Sequence, residues 1–273
     1  IEQPTTCKMA IEWFEAELRS ANAEIEDMFS KYRISEALMA VYKLFWDEFS
    51  AWYLEIIKPA YGQPIDITTY KQTIQYFDML LRLLHPFMPF ITEELWQNIE
   101  PRQQGESIMY AQQPQFDGFD ATLLAQFEDL KNIISGVRNI RQQRNIPKEQ
   151  LLLQIVAADR LPQAAQDIVI KQVNLSKIEY VEQKAKNAAA FIVGTTEYAV
   201  PLDKFINVDE ELKKLQADLA YQEGYLQNVM KKLSNERFVQ NAKPEIVAME
   251  RKKQADAESR IAAIKQSIAE LTH

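Results

Sequence analysis

The 273-residue sequence has little of the chemistry from which catalytic and metal sites are usually built. Cys7 is its one cysteine, which excludes a disulfide within the chain and a zinc site made of cysteines. The two histidines, His85 and His273, are too few for a metal cluster or a catalytic triad. The six glycines are scattered singly, so the sequence contains no glycine-rich phosphate loop. We therefore expect neither a catalytic residue nor a bound metal ion in this chain.

Long apolar runs are also missing. The sequence has no stretch of about 18 apolar residues that could span a membrane, and its first residues show no basic segment followed by an apolar one. We therefore expect a cytoplasmic protein without a membrane partner. Because the first residue is Ile1 and a helical pattern begins within ten residues of it, we interpret the chain as a piece of a longer protein.

The formal charge of −8 is unevenly distributed along the chain. Residues 1–116 carry 9 basic and 17 acidic side chains, whereas residues 117–207 and residues 208–273 each carry 11 of either sign. Residues 130–148 contain five basic and no acidic side chains, and residues 231–253 contain seven basic and three acidic ones. Such clusters favour a polyanionic partner, although a solvated helix face would show the same pattern.

Residues 1–116 have the apolar periodicity of a helical bundle. A first helix is predicted from apolar residues spaced three or four apart on one face. These are Ile11, Phe14, Leu18, Ala21, Ile25, Met28 and Tyr32. A second helix is predicted from a cap at Ser35 to the residue before Pro59, and a third helix from a cap at Thr68 or Thr69.

The segment HPFMPFITEELW, residues 85–96, connects the third predicted helix to a fourth one. Pro86 disfavours a helical conformation of His85, so the third helix should end there and the two prolines should hold the chain extended. Thr92 is then expected to cap the fourth helix. We expect His85 to be a hydrogen-bonded turn residue rather than a base or a metal ligand.

Residues 117–207 change character after a helix that carries the first basic cluster. Strands are predicted at 151–157 and 177–182, a helix at 167–174, and then a hairpin that turns at Gly194. This order of elements indicates a small α/β domain.

Residues 208–273 predict two antiparallel helices that pair as a coiled coil. Residues 235–243 interrupt the helical pattern, and Pro244 suits the first turn of the second helix. About 26 residues a side would give a hairpin roughly 40 Å long. The apolar seam weakens toward the tip, where Glu250 and Gln254 occupy seam positions.

Four segments resemble the aliphatic branch of class I aminoacyl-tRNA synthetases. HPFMPFITEELW resembles the helix corner of their anticodon-binding domain, and DEFSAWYLEIIKP, residues 47–59, resembles the valyl version of its second helix. GVRNIRQQRNIP, residues 136–147, resembles the helix that follows this domain in valyl enzymes. RFVQNAKPEIVAMERKK, residues 237–253, resembles the tip of their carboxy-terminal coiled-coil arm. The four segments occur in the family's order.

The resemblance implies a mainly α protein in three parts. Residues 1–116 would be a helical anticodon-binding domain, residues 117–207 a small α/β linker domain, and residues 208–273 an antiparallel coiled-coil arm. The intact protein would attach valine to tRNA(Val) with ATP and Mg²⁺ in a catalytic domain. The HIGH and KMSKS signatures of that domain are absent here, so the chain itself should be inactive, hold no cofactor and bind tRNA(Val) as a monomer.

Three groups of residues are predicted to contact tRNA. The arm tip contributes Lys231, Lys232, Arg237, Phe238, Lys243, Arg251 and Lys252. The helix of the linker domain contributes Arg138, Arg141, Arg144 and Lys148. Lys31, Arg33 and Lys58 are assigned to the anticodon because they lie near loops between helices.

Several alternatives remain open at this point. The arginines of the linker helix could grip phosphates bidentately or form ion pairs with the acidic bundle. Phe238 could stack on an unpaired base or close the end of the hairpin. The chain could also come from an isoleucyl or leucyl enzyme, although we do not expect the arm there. A protein-interaction scaffold that pairs its coiled coil with another chain is the alternative from a different class of protein.

Overall fold

A computed structural model describes residues 1–146, 148–203, 208–235 and 244–272. These residues form two compact units, Ile1–Pro201 and Leu202–His273. The first unit combines a helical bundle with a four-stranded mixed sheet, and the second contains a helical hairpin. The predicted fold class, mainly α with a small α/β part, is confirmed.

The bundle is built from α1 (Thr5–Ser30), α2 (Ile34–Lys43), α3 (Leu54–Ile57), α4 (Ile67–Leu84) and α5 (Pro89–Ile99). A π-helical stretch, Leu44–Tyr53, joins α2 to α3 without a break, as the prediction of one long second helix requires. The core is aromatic. The Phe14 ring centroid lies 5.0 Å from that of Tyr53 and 5.1 Å from that of Tyr76, and all three side chains are buried.

The predicted helix caps in the bundle are wrong. Asp66, not Thr68 or Thr69, caps α4, because its carboxylate accepts a hydrogen bond of 2.8 Å from the Thr69 backbone N–H. Helix α2 begins at Ile34 without a side-chain cap, which removes the role predicted for Ser35.

Helix α5 also starts earlier than predicted. Pro89 occupies its first turn, where the fixed φ of proline is already helical, and Thr92 lies inside the helix. Its hydroxyl donates to the Met88 carbonyl at 2.8 Å instead of capping the helix.

The corner at residues 85–88 is a tight turn and not an extended segment. Helix α4 ends at Leu84 as predicted, but His85 keeps a helical backbone with φ −54° and ψ −40°. The backbone N–H groups of Phe87 and Met88 both donate to the Leu84 carbonyl, at 3.0 and 3.1 Å. His85 Nδ1 lies 2.7 Å from the Thr92 hydroxyl, so it is the hydrogen-bonded turn residue that we expected.

The α/β part contains α6 (Ala121–Arg144), β1 (Leu151–Val156), α7 (Gln163–Val173), β2 (Leu175–Tyr180), β3 (Ala188–Val193) and β4 (Thr196–Pro201). The strand order is β2-β1-β4-β3. Strands β1 and β2 are parallel and are connected through α7, whereas β4 is antiparallel to both β1 and β3. The predicted hairpin is confirmed, and Gly194 supplies its turn with φ +59°. Helix α7 begins four residues before its predicted start.

The second unit contains α8 (Val208–Leu233) and α9 (Pro244–Thr272). On both helices the less exposed residues recur in alternating steps of three and four, the coiled-coil spacing. Val229, Ala257 and Ile261 are buried in this seam. Glu250 is buried there as well, and Gln254 is half-buried, so the predicted polar seam positions are confirmed.

Candidate nucleic-acid interface

Arg141, predicted to contact phosphate, lies at the carboxyl end of α6, where all five of its N–H groups face backbone carbonyls. Nε and Nη2 donate to the Val173 carbonyl at 3.1 and 2.7 Å, and Nη2 also donates to that of Asn174 at 2.9 Å. Nη1 donates to the carbonyls of Ile146 and Glu149 at 3.1 and 2.9 Å. Burial lowers the pKa of this guanidinium from its usual value. The side chain therefore ties the end of α6 to the end of α7.

The other three cations predicted to contact phosphate in this region are exposed. Arg138 lies over the Trp52 ring, 5.4 Å from its centroid, and donates to the Gln172 side chain at 3.2 Å. Arg144 and Lys148 are exposed next to the carboxyl end of the helix. In the parts of the chain that the structure describes, none of the three arginines forms an ion pair with a carboxylate of the bundle. Arg138, Arg144 and Lys148 therefore place positive charge on the surface, and their contact with phosphate remains a prediction.

Lys131, which begins the basic cluster of α6, is instead buried in the contact between α6 and the bundle. Its ammonium pairs with the buried Glu48 carboxylate and lies 5.0 Å from the Trp13 ring centroid. Burial, and then the nearby Glu48 carboxylate, raise the pKa of Glu17 above its usual value. This ion pair connects α6 to the bundle and is not available to a ligand.

Helix α7 fixes the α/β part to the end of α3. The Lys171 ammonium donates to the Ile56 carbonyl at 2.8 Å and also to the Lys58 carbonyl. Gln172 donates to the Glu55 carbonyl at 2.9 Å. Burial lowers the pKa of Lys171. These contacts explain why the sequence places a lysine and a glutamine in the last turn of α7.

The structure does not bring together the three residues predicted to contact the anticodon. Lys31 and Arg33 lie in the turn between α1 and α2, whereas Lys58 follows α3, next to the start of α1, where Cys7 Sγ lies 3.9 Å from the Ile57 carbonyl. The 26 residues of α1 separate these two ends by roughly 40 Å. The three residues therefore cannot form one site for the three bases of an anticodon.

Each of these cations is paired locally with an exposed carboxylate. Lys31 pairs with Asp27 at 2.7 Å, Lys58 with Glu55 at 3.2 Å, and Arg33 with Glu36. The surface around each is therefore close to neutral.

Two aromatic side chains at the Lys31 end of the bundle are almost fully exposed. Tyr32 is 89% exposed and Phe90 is 91% exposed. Periodicity placed Tyr32 on the buried face of the first helix, which is wrong because α1 ends at Ser30 and the chain turns before it.

The arm carries an exposed group of cations near the hairpin end. Four of the seven residues predicted for the tip are described and exposed. They are Lys231, Lys232, Arg251 and Lys252. The other three predicted residues, Arg237, Phe238 and Lys243, lie outside the described residues. Among described side chains, no carboxylate forms an ion pair with these four cations.

Glu250 is the one carboxylate buried in the described seam of the arm. It pairs with Lys253 at 2.8 Å, and this hydrogen bond lowers the pKa of Glu250 and raises the pKa of Lys253. Its second oxygen has no hydrogen-bond partner. The seam therefore has a polar position that weakens apolar packing close to the exposed cations.

The described residues contain neither a cluster of metal-ligating side chains nor a helix that could span a membrane. No group of three or more His, Cys, Asp or Glu side chains in the described ranges could hold a metal ion. No helix within those ranges combines the length and the apolar character that crossing a membrane requires.

Comparison with known proteins gives one family match within each of the two compact units. The family described as the anticodon-binding domain of tRNA ligase matches residues 12–157, and the family described as the valyl tRNA synthetase tRNA binding arm matches residues 207–272. The first match begins within α1 and ends just after β1, and the second covers both helices of the arm.

Three similar curated proteins are valine–tRNA ligases. The valine–tRNA ligase of Parabacteroides distasonis is 58% identical over 273 residues, which are 100% of this chain and 31% of that protein. That of Christiangramia forsetii is 44% identical over the same share of each chain, and that of Fervidobacterium nodosum is 33% identical over 97% of this chain and 30% of the relative. The chain spans about a third of the length of the curated relatives it matches. It belongs to the family of tRNA-ligase anticodon-binding domains, and it carries the arm of the valyl branch.

Proposed function

We propose that this chain is the tRNA-recognition part of a valine–tRNA ligase. The helical bundle binds the anticodon, and the arm binds the outer corner of the L-shaped tRNA. Holding the tRNA at two points presents its acceptor end to a catalytic domain outside this chain, which attaches valine with ATP and Mg²⁺. In this proposal residues 1–116 recognise the anticodon, residues 117–207 link the two binding parts, and residues 208–273 hold the corner.

The observation that carries the proposal is the order of the two family matches along one chain. The description of the family matched at residues 12–157 names no amino acid, whereas the family matched at residues 207–272 is described as the arm of valyl enzymes. This second match favours tRNA(Val) over the isoleucine and leucine tRNAs of the neighbouring branches. Four exposed cations on the arm supply charge for phosphate contacts.

The structure of the arm also supports a monomer over a scaffold that pairs with other chains. Val229, Ala257 and Ile261 are buried where α8 and α9 pack on each other, so the apolar seam is already used within one chain. A coiled coil built to recruit a partner would leave its seam exposed. The proposed location is the cytoplasm, where tRNA is charged.

The proposal is tested by titrating the chain with tRNA(Val) and tRNA(Ile) transcripts at two salt concentrations. We expect tighter binding of tRNA(Val). We also expect the affinity to fall as salt increases, because the protein's cationic side chains release counterions from the phosphates on binding and this release is less favourable at higher salt. Equal affinity for the two tRNAs would refute the assignment to valine. The absence of binding at low salt would refute tRNA recognition altogether.

A double variant, Lys231→Ala with Lys232→Ala, tests the arm. Its matched control is Lys8→Ala with Lys71→Ala, which removes the same charge from exposed positions in the bundle. Each phosphate contact that is lost should reduce the salt slope by roughly 0.7 to 0.9. We expect this reduction in the arm variant only. Light scattering of the same samples should give a monomer, and a stable dimer would favour the scaffold.

A further inference from the structure

The two edges of the four-stranded sheet differ in charge. The edge strand β2 carries Lys177 and Glu179, which form an ion pair, whereas the other edge strand, β3, has the sequence AAAFIV. Charged side chains on an edge strand discourage another strand from pairing with it. The β2 edge is therefore protected in this way, and the uncharged β3 edge is not.

We infer that β3 pairs with an additional strand, and that this strand is an extended segment of the same polypeptide outside this chain. The inference rests on the proposed function in one respect, namely that the chain is part of a longer ligase. This chain spans about a third of the length of its curated relatives, so most of such a polypeptide lies outside it. A covalently linked segment has a much higher effective concentration at β3 than a separate protein or a second copy has.

The backbone of β3 offers hydrogen-bonding groups on its outer side. The hairpin turn consists of Gly194 and the residue after it, so Val193 pairs with Thr196 across the turn. The first and fourth residues of such a turn are hydrogen-bonded, and bonded and non-bonded pairs then alternate along an antiparallel ladder. The N–H and C=O groups of Ala190 and Ile192 therefore point away from β4. Because β3 lies at the end of the strand order, these groups face the open edge of the sheet.

Helix α6 forms a wall beside this edge. The Phe191 ring lies against α6 at Gly136, at a place that a side chain on the helix would fill. A groove of about 370 Å³ remains between α6 and the edge strand. Asn132, Ser135 and Asn139 line its helix side. A helix that runs beside an open strand edge is a suitable setting for strand addition, in which main-chain hydrogen bonds provide the affinity and side-chain contacts the specificity.

The three polar residues of this wall are unusual for an exposed helix face. Asparagine and serine form helices less readily than lysine, glutamate or glutamine, because their side chains compete for backbone hydrogen bonds. Within the described ranges, the side chains of Asn132, Ser135 and Asn139 make no hydrogen bond to the rest of the chain. Amides and hydroxyls both donate and accept, so these side chains can bind the backbone of an extended segment.

The charge of the groove indicates the chemistry of the docking segment. Asp129 is the one charged residue among the described residues that line the groove, and it is exposed. In the described part of the chain no cation forms an ion pair with it. We therefore expect a lysine or arginine of the segment next to Asp129 and uncharged side chains along the rest of β3. A phosphate backbone would be repelled by Asp129, which argues against RNA in this groove.

Amide hydrogen exchange tests for the added strand. The measurement compares this chain with the full-length ligase that contains it and follows residues 188–193 by mass spectrometry. In this chain alone, the amides of Ala190 and Ile192 should exchange rapidly, because they face the open edge. In the full-length protein we expect them to exchange at least about tenfold more slowly, because a hydrogen-bonded amide exchanges only when the structure opens.

Two variants with matched controls locate the contact. Ala190→Pro removes an outward N–H and keeps the hydrogen bonds to β4, since proline is tolerated on an edge strand, and its control Ala190→Val keeps the N–H. Asn132→Glu adds negative charge to the wall of the groove, and its control Asn132→Gln keeps the amide. In the full-length protein, Ala190→Pro and Asn132→Glu should each return the exchange of Ile192 toward its rate in this chain, and the controls should not. If Ala190→Pro unfolds this chain in a urea titration, the Asn132 pair decides the question.

Several results would overturn the inference. Equal exchange of residues 188–193 in this chain and in the full-length protein would show that no segment covers β3. Slow exchange in this chain alone that becomes fast on dilution would show a second copy on the edge, and slow exchange that requires added tRNA(Val) would show RNA there. Protection in the full-length protein that survives both Ala190→Pro and Asn132→Glu would also refute strand addition.

The proposed function is tested separately by the tRNA titration. If this chain binds tRNA(Val) selectively while the exchange of β3 is equal in both proteins, the inference about β3 is wrong and the proposed function stands. If this chain binds no tRNA but β3 is protected in the full-length protein, the proposed function fails and the added strand stands.

Discussion

Replacing Arg141 distinguishes a structural arginine from one that binds phosphate. Its five N–H groups donate to carbonyls of four residues, and three of these hydrogen bonds lie in half-buried surroundings. At about 1 kcal/mol for each half-buried bond, Arg141→Ala should lower the free energy of unfolding by about 3 kcal/mol. Arg141→Lys should recover about 1 kcal/mol, because an ammonium cannot reproduce the planar fork of the guanidinium.

The matched control is Arg144→Ala, one helical turn further along α6. Arg144 is exposed, so its loss should change the free energy of unfolding by no more than about 0.5 kcal/mol. Urea denaturation followed by circular dichroism gives both values.

The same two variants test the predicted phosphate contacts. If Arg141 is engaged with carbonyls, its replacement should leave the salt slope of tRNA binding unchanged under conditions where the variant is folded. Arg144→Ala should reduce that slope if the exposed arginine contacts a phosphate. A structural role of Arg141 would be refuted if Arg141→Ala unfolded at the same urea concentration as Arg144→Ala and bound tRNA with a smaller salt slope.

Three further predictions concern stability. Burial raises the pKa of Glu17 in the folded state, so the ionised carboxylate lowers the stability of the fold as pH rises past the usual glutamate pKa of 4.5. Glu17→Gln should therefore raise the unfolding midpoint at pH 7 but not at pH 4. Equal effects at both pH values would contradict this. A side chain at Gly136 would overlap the Phe191 ring, so Gly136→Ala should lower the free energy of unfolding by about 1 to 3 kcal/mol despite the higher helix propensity of alanine. Adding Phe191→Leu to this variant should restore part of the free energy of unfolding, as measured by urea denaturation. Replacing buried Glu250 by leucine should raise the melting temperature of the arm helices in circular dichroism, and a lower one would show that the Glu250–Lys253 pair contributes more than an apolar seam.

The elements of this fold were predictable where one local pattern decided them. Gly194 identified the turn of the β3–β4 hairpin, and steps of three and four identified both helices of the arm, including the polar position at Glu250. Helix ends were less predictable, because Asp66, Thr68 and Thr69 are all good capping residues within four positions. Only the folded geometry selects the carboxylate of Asp66.

The candidate sites were harder to predict for a related reason. The partners of Arg141 include carbonyls at positions 173 and 174, more than thirty residues away in sequence, so a basic cluster alone could not separate Arg141 from its exposed neighbours. Periodicity likewise predicted a buried Tyr32, because it does not show that α1 has already ended. In both cases the surroundings of the side chain depend on the tertiary structure, which the local sequence pattern does not show.

The π-helical stretch at Leu44–Tyr53 sets the rotation of everything that follows it in the second helical run. Each residue of an α-helix turns the chain by about 100°, so a one-residue deletion within this stretch would rotate α3 by roughly that angle. Ile56 and Ile57, now buried, would turn toward solvent, and the carbonyls that hold Lys171 would point elsewhere. The number of residues in the π-helical stretch thus sets the rotation of α3 about the helix axis, and the docking of the α/β part depends on that rotation.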